Sequence, residues 1–413
     1  MRRRALLVAG VCTLLGLTGA GVAAATSFAP ARPRIASVAA PQMPAQHRAG
    51  VTEPGAEPAG VLEAVTGGLI EWTASRTFTY PGADYVKVHF GELRLNRGDK
   101  VRVTDASGAE HYTYTSEELR LADNWSMSVS GDRAVVSVER AGDDVLGLKS
   151  KLAGLGVTVD RIARGQTPDE RAAALAAKRA AEARQPHEES ICGRSNETEN
   201  AACYKSSDPV AYANSKPVAR ILINGVELCT AFRIGTQNRM MTNHHCLTTT
   251  REARNTEVWF NYECAQCEGG PTLRPTKVMG DQVIATDELL DYTLFSVRDF
   301  EAVQRFGYLQ IDDRAPVRGE ELYIPQHPRG APTVITMQDP TERSGNCAVS
   351  DPSYDGYAAN TDMSYYCDTD GGSSGSPVIS RRTNKVIALH HFGGCPNSGV
   401  RMDRIAAHLR GEL

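Results

Sequence analysis

Asp368-Thr369-Asp370-Gly371-Gly372-Ser373-Ser374-Gly375-Ser376-Pro377-Val378 is the stretch on which the reading of this chain turns. A serine held between glycines on a tight turn can present its hydroxyl while neighbouring backbone N–H groups converge. That arrangement holds the oxyanion of an acyl-transfer intermediate. The frame Gly372-Ser373-Ser374-Gly375 makes Ser374 the candidate nucleophile, with the N–H groups of Gly372 and Ser374 as the oxyanion hole. By itself a Gly/Ser run is usually a loop or linker, so the weight falls on what lies upstream.

Met241-Thr242-Asn243-His244-His245-Cys246 follows a hydrophobic strand and puts a histidine directly before a cysteine. Asp291-Tyr292-Thr293-Leu294 sets an acid just ahead of another strand. With Ser374 these supply base, orienter and nucleophile in the order His, Asp, Ser. A serine hydroxyl is a poor nucleophile near neutral pH; an imidazole must take its proton, and a buried carboxylate must fix the tautomer and stabilise the charged ring. Adjacency to Cys246 selects His245 over His244, which is expected to be structural. His327 and His391 are expected to pack or to sit in loops.

The surrounding pattern is β. Pro217–Ile223 reads as a strand, Asn224-Gly225 as a hairpin turn, and the return strand carries Cys229. Short apolar runs follow at Val258–Phe260, Gln282–Ile284, Thr293–Val297, Leu322–Ile324, Thr333–Thr336, Pro377–Ile379 and Val386–Leu389. Ile405 and Leu409 mark a short amphipathic helix over Asp403–Arg410. Many short strands with glycine turns predict an all-β barrel or sandwich.

Thr242–Cys246 resembles the histidine motif of chymotrypsin-like (trypsin-like) serine proteases, whose usual form is Thr-Ala-Ala-His-Cys. Asp291–Leu294 resembles their aspartate motif, and Gly372–Pro377 their serine motif. The gaps of 46 residues from His245 to Asp291 and 83 on to Ser374 suit that fold. The resemblance covers about residues 190–413. It implies a double β-barrel, hydrolysis of peptide bonds by His245, Asp291 and Ser374, and a Cys229–Cys246 disulfide beside the histidine loop. Protein or peptide substrates follow, with no cofactor and no metal. The serine stretch Thr369–Pro377 is similar to that of bacterial lysyl and glutamyl endopeptidases. Asn261–Glu263, Gln326-His327-Pro328 and the histidine near Gly393-Gly394-Cys395 are similar to the lysyl type. That likeness implies pairing of Cys192 with Cys395 and of Cys203 with Cys264 or Cys267. Cys347 with Cys367 is then the expected remaining pair, one of Cys264 and Cys267 staying free.

Two departures bear on activation and specificity. Trypsin has an aspartate before the nucleophile, which receives the new N-terminus on activation; here Ser373 stands there, so latency is expected to come from a pro-region. Asp368 lies six residues before Ser374, where trypsin places the carboxylate that binds Lys or Arg. Thr369 and His390 instead match positions that bind an acidic side chain in glutamyl endopeptidases. Because Asp368 would repel a glutamate carboxylate, cleavage after basic residues is the expectation and glutamate the alternative. The pocket aspartate of the lysyl type is missing, Pro396-Asn397-Ser398 standing in its place.

The remainder sets the context. Arg2–Arg4, the apolar run Ala5–Leu17 and Ala23-Ala24-Ala25 read as a secretory signal over 1–25, too short and glycine-rich for a membrane anchor. Of ten cysteines, Cys12 lies in that leader and the other nine fall between Cys192 and Cys395; in an exported chain they are expected to form disulfides rather than hold zinc. Residues 26–65 read as disordered or as a pro-region. Residues 66–165 carry short strands (Tyr85–Phe90, Leu93–Leu95, Lys100–Val103, Arg133–Val138) that suggest a β-sandwich of pro- or accessory character. There Trp72 and Trp125 are expected in the core, and His89 and His111 to be structural or on the surface. Asn124-Trp125-Ser126 and Asn196-Glu197-Thr198 match glycosylation acceptors. Alanine-rich residues 166–189 read as a helical linker with processing sites at Lys178, Arg179 and Arg184, and 190–413 as the protease domain. A net charge of −4 over 413 residues gives no electrostatic case for nucleic acid. A secreted monomer is expected. The reading from another class is an inactive, protease-like binding protein that works through its sandwich, on glycans for example.

Overall fold

Alternating apolar residues build the first β unit. In the computed structural model, residues 55–66, 68–71, 74–141, 154–182, 191–193 and 195–411 are described. The expected leader with Cys12, the stretch 26–54, Trp72 and Arg184 lie outside them. Strand β1 is Glu57–Pro58, β2 Gly60–Ala64 and β3 Ser75–Thr79. β4 (Tyr85–Arg94), β5 (Lys100–Thr104) and β6 (His111–Tyr114) follow. Helix α1, Ser116–Leu121, starts on a capping box between Thr115 and Glu118. β7 (Val129–Ser130), β8 (Arg133–Glu139) and β9 (Gly156–Gly165) complete the unit. Two four-stranded sheets result, β2-β9-β4-β7 and β3-β8-β5-β6. Val86, Val88 and Phe90 of one meet Val101, Val103, Val136 and Val138 of the other in a shared core, as in a sandwich.

The strand at Gly60–Ala64 gives order to the last part of the stretch 26–65, whose sequence reads as disordered or as a pro-region. Five residues, none of them fully buried, carry too little pattern to show a period. They are held by pairing along β9 from Gly60–Gly165 to Ala64–Arg161. Beyond β9, helix α2 spans Pro168–Glu182, where alanine propensity carries the helix. The Glu170 carboxylate ties its first turn to Arg164 and to the Thr167 N–H.

The rest of the chain forms two further sheets. β10 (Thr198–Asn200) precedes β11 (Val218–Ile223), β12 (Glu227–Arg233), β13 (Met240–Thr242) and β14 (Glu257–Phe260). The β11–β12 turn uses Asn224 and Gly225, both at positive φ. β15 (Cys264–Gln266) and β16 (Gly269–Thr272) form a separate ribbon, followed by β17 (Thr276–Asp287) and β18 (Tyr292–Val297). The order β1-β12-β11-β14-β17-β18-β13 closes through a β12–β13 pairing, giving a barrel filled by Ala219, Ile221, Ala231, Val258, Phe260 and Phe295.

β19 (Leu322–Gln326), β20 (Val334–Thr336), β21 (Asp351–Tyr354), β22 (Asp362–Tyr365), β23 (Pro377–Ser380), β24 (Val386–Phe392) and β25 (Asn397–Arg401) make the second sheet. Its order is β10-β20-β19-β23-β24-β25-β22-β21. The bonds Leu322 N–H to Cys347 O and Ser350 N–H to Ser364 O link β19 to β22 through residues 347–350. Helix α3, Met402–His408, packs Ile405 into a core shared by both sheets, where Phe232 and Leu294 meet Tyr323, Ile379 and Leu389. This is the all-β, double-barrel chymotrypsin-like fold that the sequence predicted, with the sandwich ahead of it.

The sandwich covers the outer face of the first barrel. In β11 and β14 every residue is buried: Ala219, Ile221, Val258 and Phe260 face the barrel core, while Leu222 and Trp259 pack with Tyr85 and Glu257 bonds to Lys87 and Ser128 of the sandwich. Glu257 accepts from Lys87 Nζ (2.8 Å), Ser128 N (2.8 Å), Ser128 Oγ (2.7 Å) and Trp259 Nε1 (2.9 Å). Lys277 Nζ donates to Glu110 Oε1 at 2.7 Å and to Ser128 O at 3.0 Å. Burial raises the Glu257 carboxyl, but Lys87 and Lys277 overcome it and hold the group below the usual range. Saturating its oxygens offsets the desolvation that makes buried ions costly.

Candidate active site

The imidazole side is fixed by the turn after β13. Cys246 is disulfide-bonded to Cys229 of β12, and Asn243 Nδ2 donates to Asp291 O at 2.9 Å. Asp291, 1% exposed, enters β18 at φ +40°. Its Oδ1 accepts the His245 N–H at 3.0 Å and its Oδ2 meets His245 Nδ1 at 2.8 Å. A ring that donates from Nδ1 keeps Nε2 as an acceptor. Nε2 of His245 is buried and has no hydrogen-bond partner among the described residues. His244 turns the other way, its Nδ1 on Thr286 Oγ1 at 2.8 Å.

The serine side is fixed by the first barrel. Thr230 N donates to Ser374 O and Thr230 Oγ1 to Gly372 O, each at 2.8 Å, while Thr242 Oγ1 donates to Thr230 O at 2.8 Å. Gly372 and Gly375 sit at φ +89° and +88°. A Cβ on Gly375 would stand 2.0 Å from Thr230 O, so the close approach of loop to barrel admits only glycine. Thr230 follows Cys229, and the disulfide partner of Cys229 follows His245. Both candidate reacting groups are thereby held around Cys229–Thr230.

Behind Asp291 stands a group that motif spacing did not reveal. His391 is buried; its Nδ1 lies 3.0 Å from Asp291 Oδ2 and its Nε2 2.6 Å from Asp362 Oδ2. Asp362 Oδ2 also accepts from Ser398 Oγ at 2.8 Å. Burial would depress His391, but Asp362 and Asp291 raise it to about 9. Burial likewise lifts the Asp291 carboxyl, yet His245 and His391 hold it well below the usual carboxylate range. His391 was expected to pack; it lies in the middle of an Asp362–His391–Asp291–His245 chain. The only sequence signal was the doublet His390-His391 at the end of an apolar strand.

The expected specificity residues separate. Asp368 accepts Cys192 N–H on Oδ1 and Glu197 N–H on Oδ2, each at 2.7 Å, and is 1% exposed. Thr369 is buried, and its Oγ1 has no partner among the described residues. His390 Nδ1 meets Tyr365 OH at 2.6 Å; burial, then His391 and His245, lowers it to about 3. Cys192 is bonded to Cys395 and Cys347 to Cys367. Cys203 pairs with Cys267, which corrects Cys264 as a disulfide candidate. Cys264 is buried where β15 begins, whereas Cys267 lies at the exposed turn, its carbonyl taking Asn200 Nδ2 at 2.7 Å.

Residues 229–389 match the family model described as "Trypsin-like peptidase domain". This chain carries a trypsin-like peptidase domain. The match takes in His245, Asp291, Asp362 and Ser374 and stops just short of His390. A relative, the secreted RxLR effector protein 73 of Plasmopara viticola, is 36% identical over 230 residues, 54% of this chain and 56% of that protein. The chain therefore spans about half the length of the curated relative it matches. Similar solved structures include the Rv3671c protease from M. tuberculosis in its active form, 16% identical with a TM-score of 0.36, covering 54% of this chain and 89% of that one. A Glu endopeptidase in complex with MPD is 16% identical with a TM-score of 0.39, covering 54% and 98%. Within the peptidase domain, Ser373 Oγ accepts the Asp370 N–H at 3.2 Å, and Asp370 forms an ion pair with Arg329. The position before the nucleophile candidate is thus a neutral brace for its own loop.

Proposed function

We propose that the chain is a secreted serine endopeptidase acting through an acyl-enzyme. Ser374 attacks the scissile carbonyl, His245 takes the hydroxyl proton on Nε2 and later gives it to the leaving amine. Asp291 fixes the ring and stabilises its charged form. The N–H groups of Gly372 and Ser374 receive the oxyanion. The observation that carries this reading is the His245–Asp291 bond at 2.8 Å, on a buried carboxylate, with Nε2 left to accept. Export is supported by the leader-like N-terminus, by four disulfides among the described residues, and by the similarity to a secreted effector protein. Residues 66–165, with β2, are proposed as a pro- or accessory domain.

For the residue before the scissile bond, the geometry supports the alternative over the first expectation. Both Asp368 oxygens are taken by backbone amides, so the carboxylate meant for Lys or Arg is already engaged. Thr369 offers a buried hydroxyl without a partner. His390, kept neutral by burial, can donate to an anion without carrying a charge that needs pairing in the empty site. Glutamate is the side chain proposed.

The test pairs a fluorophosphonate probe with cleavage-site profiling on a peptide library. Labelling and cleavage after glutamate are expected, both lost in Ser374→Ala. A Ser374→Ala protein that still cleaves at the parent rate sinks the mechanism. Purified parent protein that never labels would favour a protease-like binding protein instead.

A further inference from the structure

The edge of β12 next to the nucleophile loop is already occupied by the chain's own N-terminal arm. β1 pairs antiparallel with β12, Glu57 opposite Leu228 and Pro58 opposite Glu227. Ala59 N donates to Val226 O at 2.8 Å, and Pro58 has no N–H to give. Bonded and non-bonded pairs alternate along an antiparallel ladder, so Glu57 and Leu228 are the bonded pair. Leu228 is followed by Cys229 and Thr230, whose N–H holds Ser374 O. The Glu57 carboxylate lies against Gly371, where a Cβ would meet Glu57 Oε2 at 1.9 Å. Ala56 packs on the cluster that contains Cys229 and Cys246. The arm therefore packs on the core cluster of the first barrel and lies against the nucleophile loop.

Resting on the proposed function, we propose that residues 55–60 are an intramolecular blocking strand for the polypeptide-binding cleft. An extended peptide gains main-chain hydrogen bonds by adding to a sheet edge, and here the arm already holds that edge. The acyl-side residues Thr369 and His390 belong to the second barrel's sheet and its loops, whereas the arm lies on the first barrel. It excludes the part of a substrate that continues past the scissile bond.

The sandwich is the anchor. β2 continues directly from the arm, Tyr85 OH donates to Gly225 O at 2.8 Å, and Ala59 packs with Tyr85, Leu222, Leu228 and Trp259. A tethered strand competes at an effective concentration of ~mM, so a dilute substrate loses until the sandwich leaves. The outer barrel face that would then be bared carries Leu222 and Trp259 together with Arg220, Glu257 and Lys277, groups that water solvates well. A cut in the linker alone leaves the arm seated, because the sandwich is held by non-covalent contacts made on the barrel itself.

The test uses the full chain and its Glu57→Pro/Ala59→Pro variant, which loses two strand donors and the carboxylate on Gly371. Cleavage of an internally quenched nonapeptide is expected to rise about tenfold or more, while labelling of Ser374 by a small alkyl fluorophosphonate stays unchanged. Equal peptide cleavage in both proteins overturns the proposal. A second measurement needs no activity: in the Ser374→Ala background, the Leu228 amide should be protected from hydrogen exchange and lose that protection in the arm variant. Unchanged protection also overturns the seat. If nothing is labelled or cleaved in any form but Leu228 protection moves, the seated strand stands and the peptidase reading is what fails.

Discussion

His391 shares with His245 a single oxygen of Asp291: Oδ2 lies 2.8 Å from His245 Nδ1 and 3.0 Å from His391 Nδ1. A carboxylate oxygen has lone pairs for both donors, so the two rings lock its direction. Because Asp362 holds the far nitrogen of His391 at 2.6 Å, the orientation of the candidate base is set from 29 residues before His391.

Replacing His391 with Gln should therefore slow the reaction without dismantling the site. A hydrogen bond between charged groups contributes about 1.5–3 kcal/mol, which corresponds to a loss of about ten- to hundredfold in kcat. His391 carries positive charge beside Asp291, and its removal leaves that carboxylate better able to stabilise a protonated base. The acid limb of the kcat/KM profile should accordingly move to higher pH. A variant with reduced kcat and an unmoved profile would reduce His391 to packing.

The same chain gives stability a pH dependence whose sign can be worked out. His391 is raised from 6.5 to about 9 on folding, so its contribution is complete below 6.5 and lost as pH rises through about 9. Asp291 is lowered from 3.8, so its contribution is present above 3.8 and lost as pH falls through its lower folded value. Tm of the Ser374→Ala protein, chosen to prevent autolysis, should hold between pH 3.8 and 6.5 and decline as pH rises from 6.5 through about 9. His391→Gln should flatten the alkaline decline; an identical decline in both proteins would assign it to other groups.

Much of this site was legible in the sequence because covalent neighbours carry it. His245 precedes a cysteine whose partner lies in β12, Asp291 opens a strand, and Ser374 stands in glycines that only a close backbone approach requires. What stayed hidden depends on the third dimension. His391 and Asp362 sit on β24 and β22, strands that are both paired with β25, and no spacing announces that they meet. Asp368 looked like a pocket carboxylate because its distance from Ser374 matched one; its amide donors, Cys192 and Glu197, lie more than 170 residues away. β9 was missed because Gly156–Gly165 mixes Thr158, Asp160 and Arg161 among its apolar residues. Cys264 and Cys267 could not be told apart until a buried strand end and an exposed turn distinguished them.

The buried ions between sandwich and barrel make a separate prediction. Glu257→Gln leaves Lys87 buried without its counter-charge, and breaking one side of such a pair destabilises by about 3–5 kcal/mol. The double variant Lys87→Met/Glu257→Met removes both charges and should recover a large part of that loss. Denaturant melts of the Ser374→Ala protein, followed by tryptophan fluorescence, can read this because Trp259 donates directly to Glu257 at 2.9 Å. A double variant that is destabilised by the sum of the two single losses would show that the pair does not interact.

Specificity offers the sharpest contrast between two neighbours in sequence. Asp368 and Thr369 are adjacent, yet one is saturated by amides and the other has a buried hydroxyl without a partner. If Asp368 bound a basic substrate, Asp368→Asn would lower cleavage after Lys or Arg selectively. With its oxygens committed to Cys192 and Glu197, the substitution should weaken the disulfide-bearing segment around Cys192 and leave the preference among substrates unaltered. Thr369→Val should instead lower kcat/KM for a glutamyl peptide by about tenfold, since a lost hydrogen bond to a charged group costs about 1.5–3 kcal/mol. It should barely affect a glutamine peptide, whose side chain is neutral. Library profiling of the two variants decides the matter: selective loss after Lys or Arg in Asp368→Asn would return the pocket to basic side chains, because the carboxylate would then have to reach the substrate despite its amide partners.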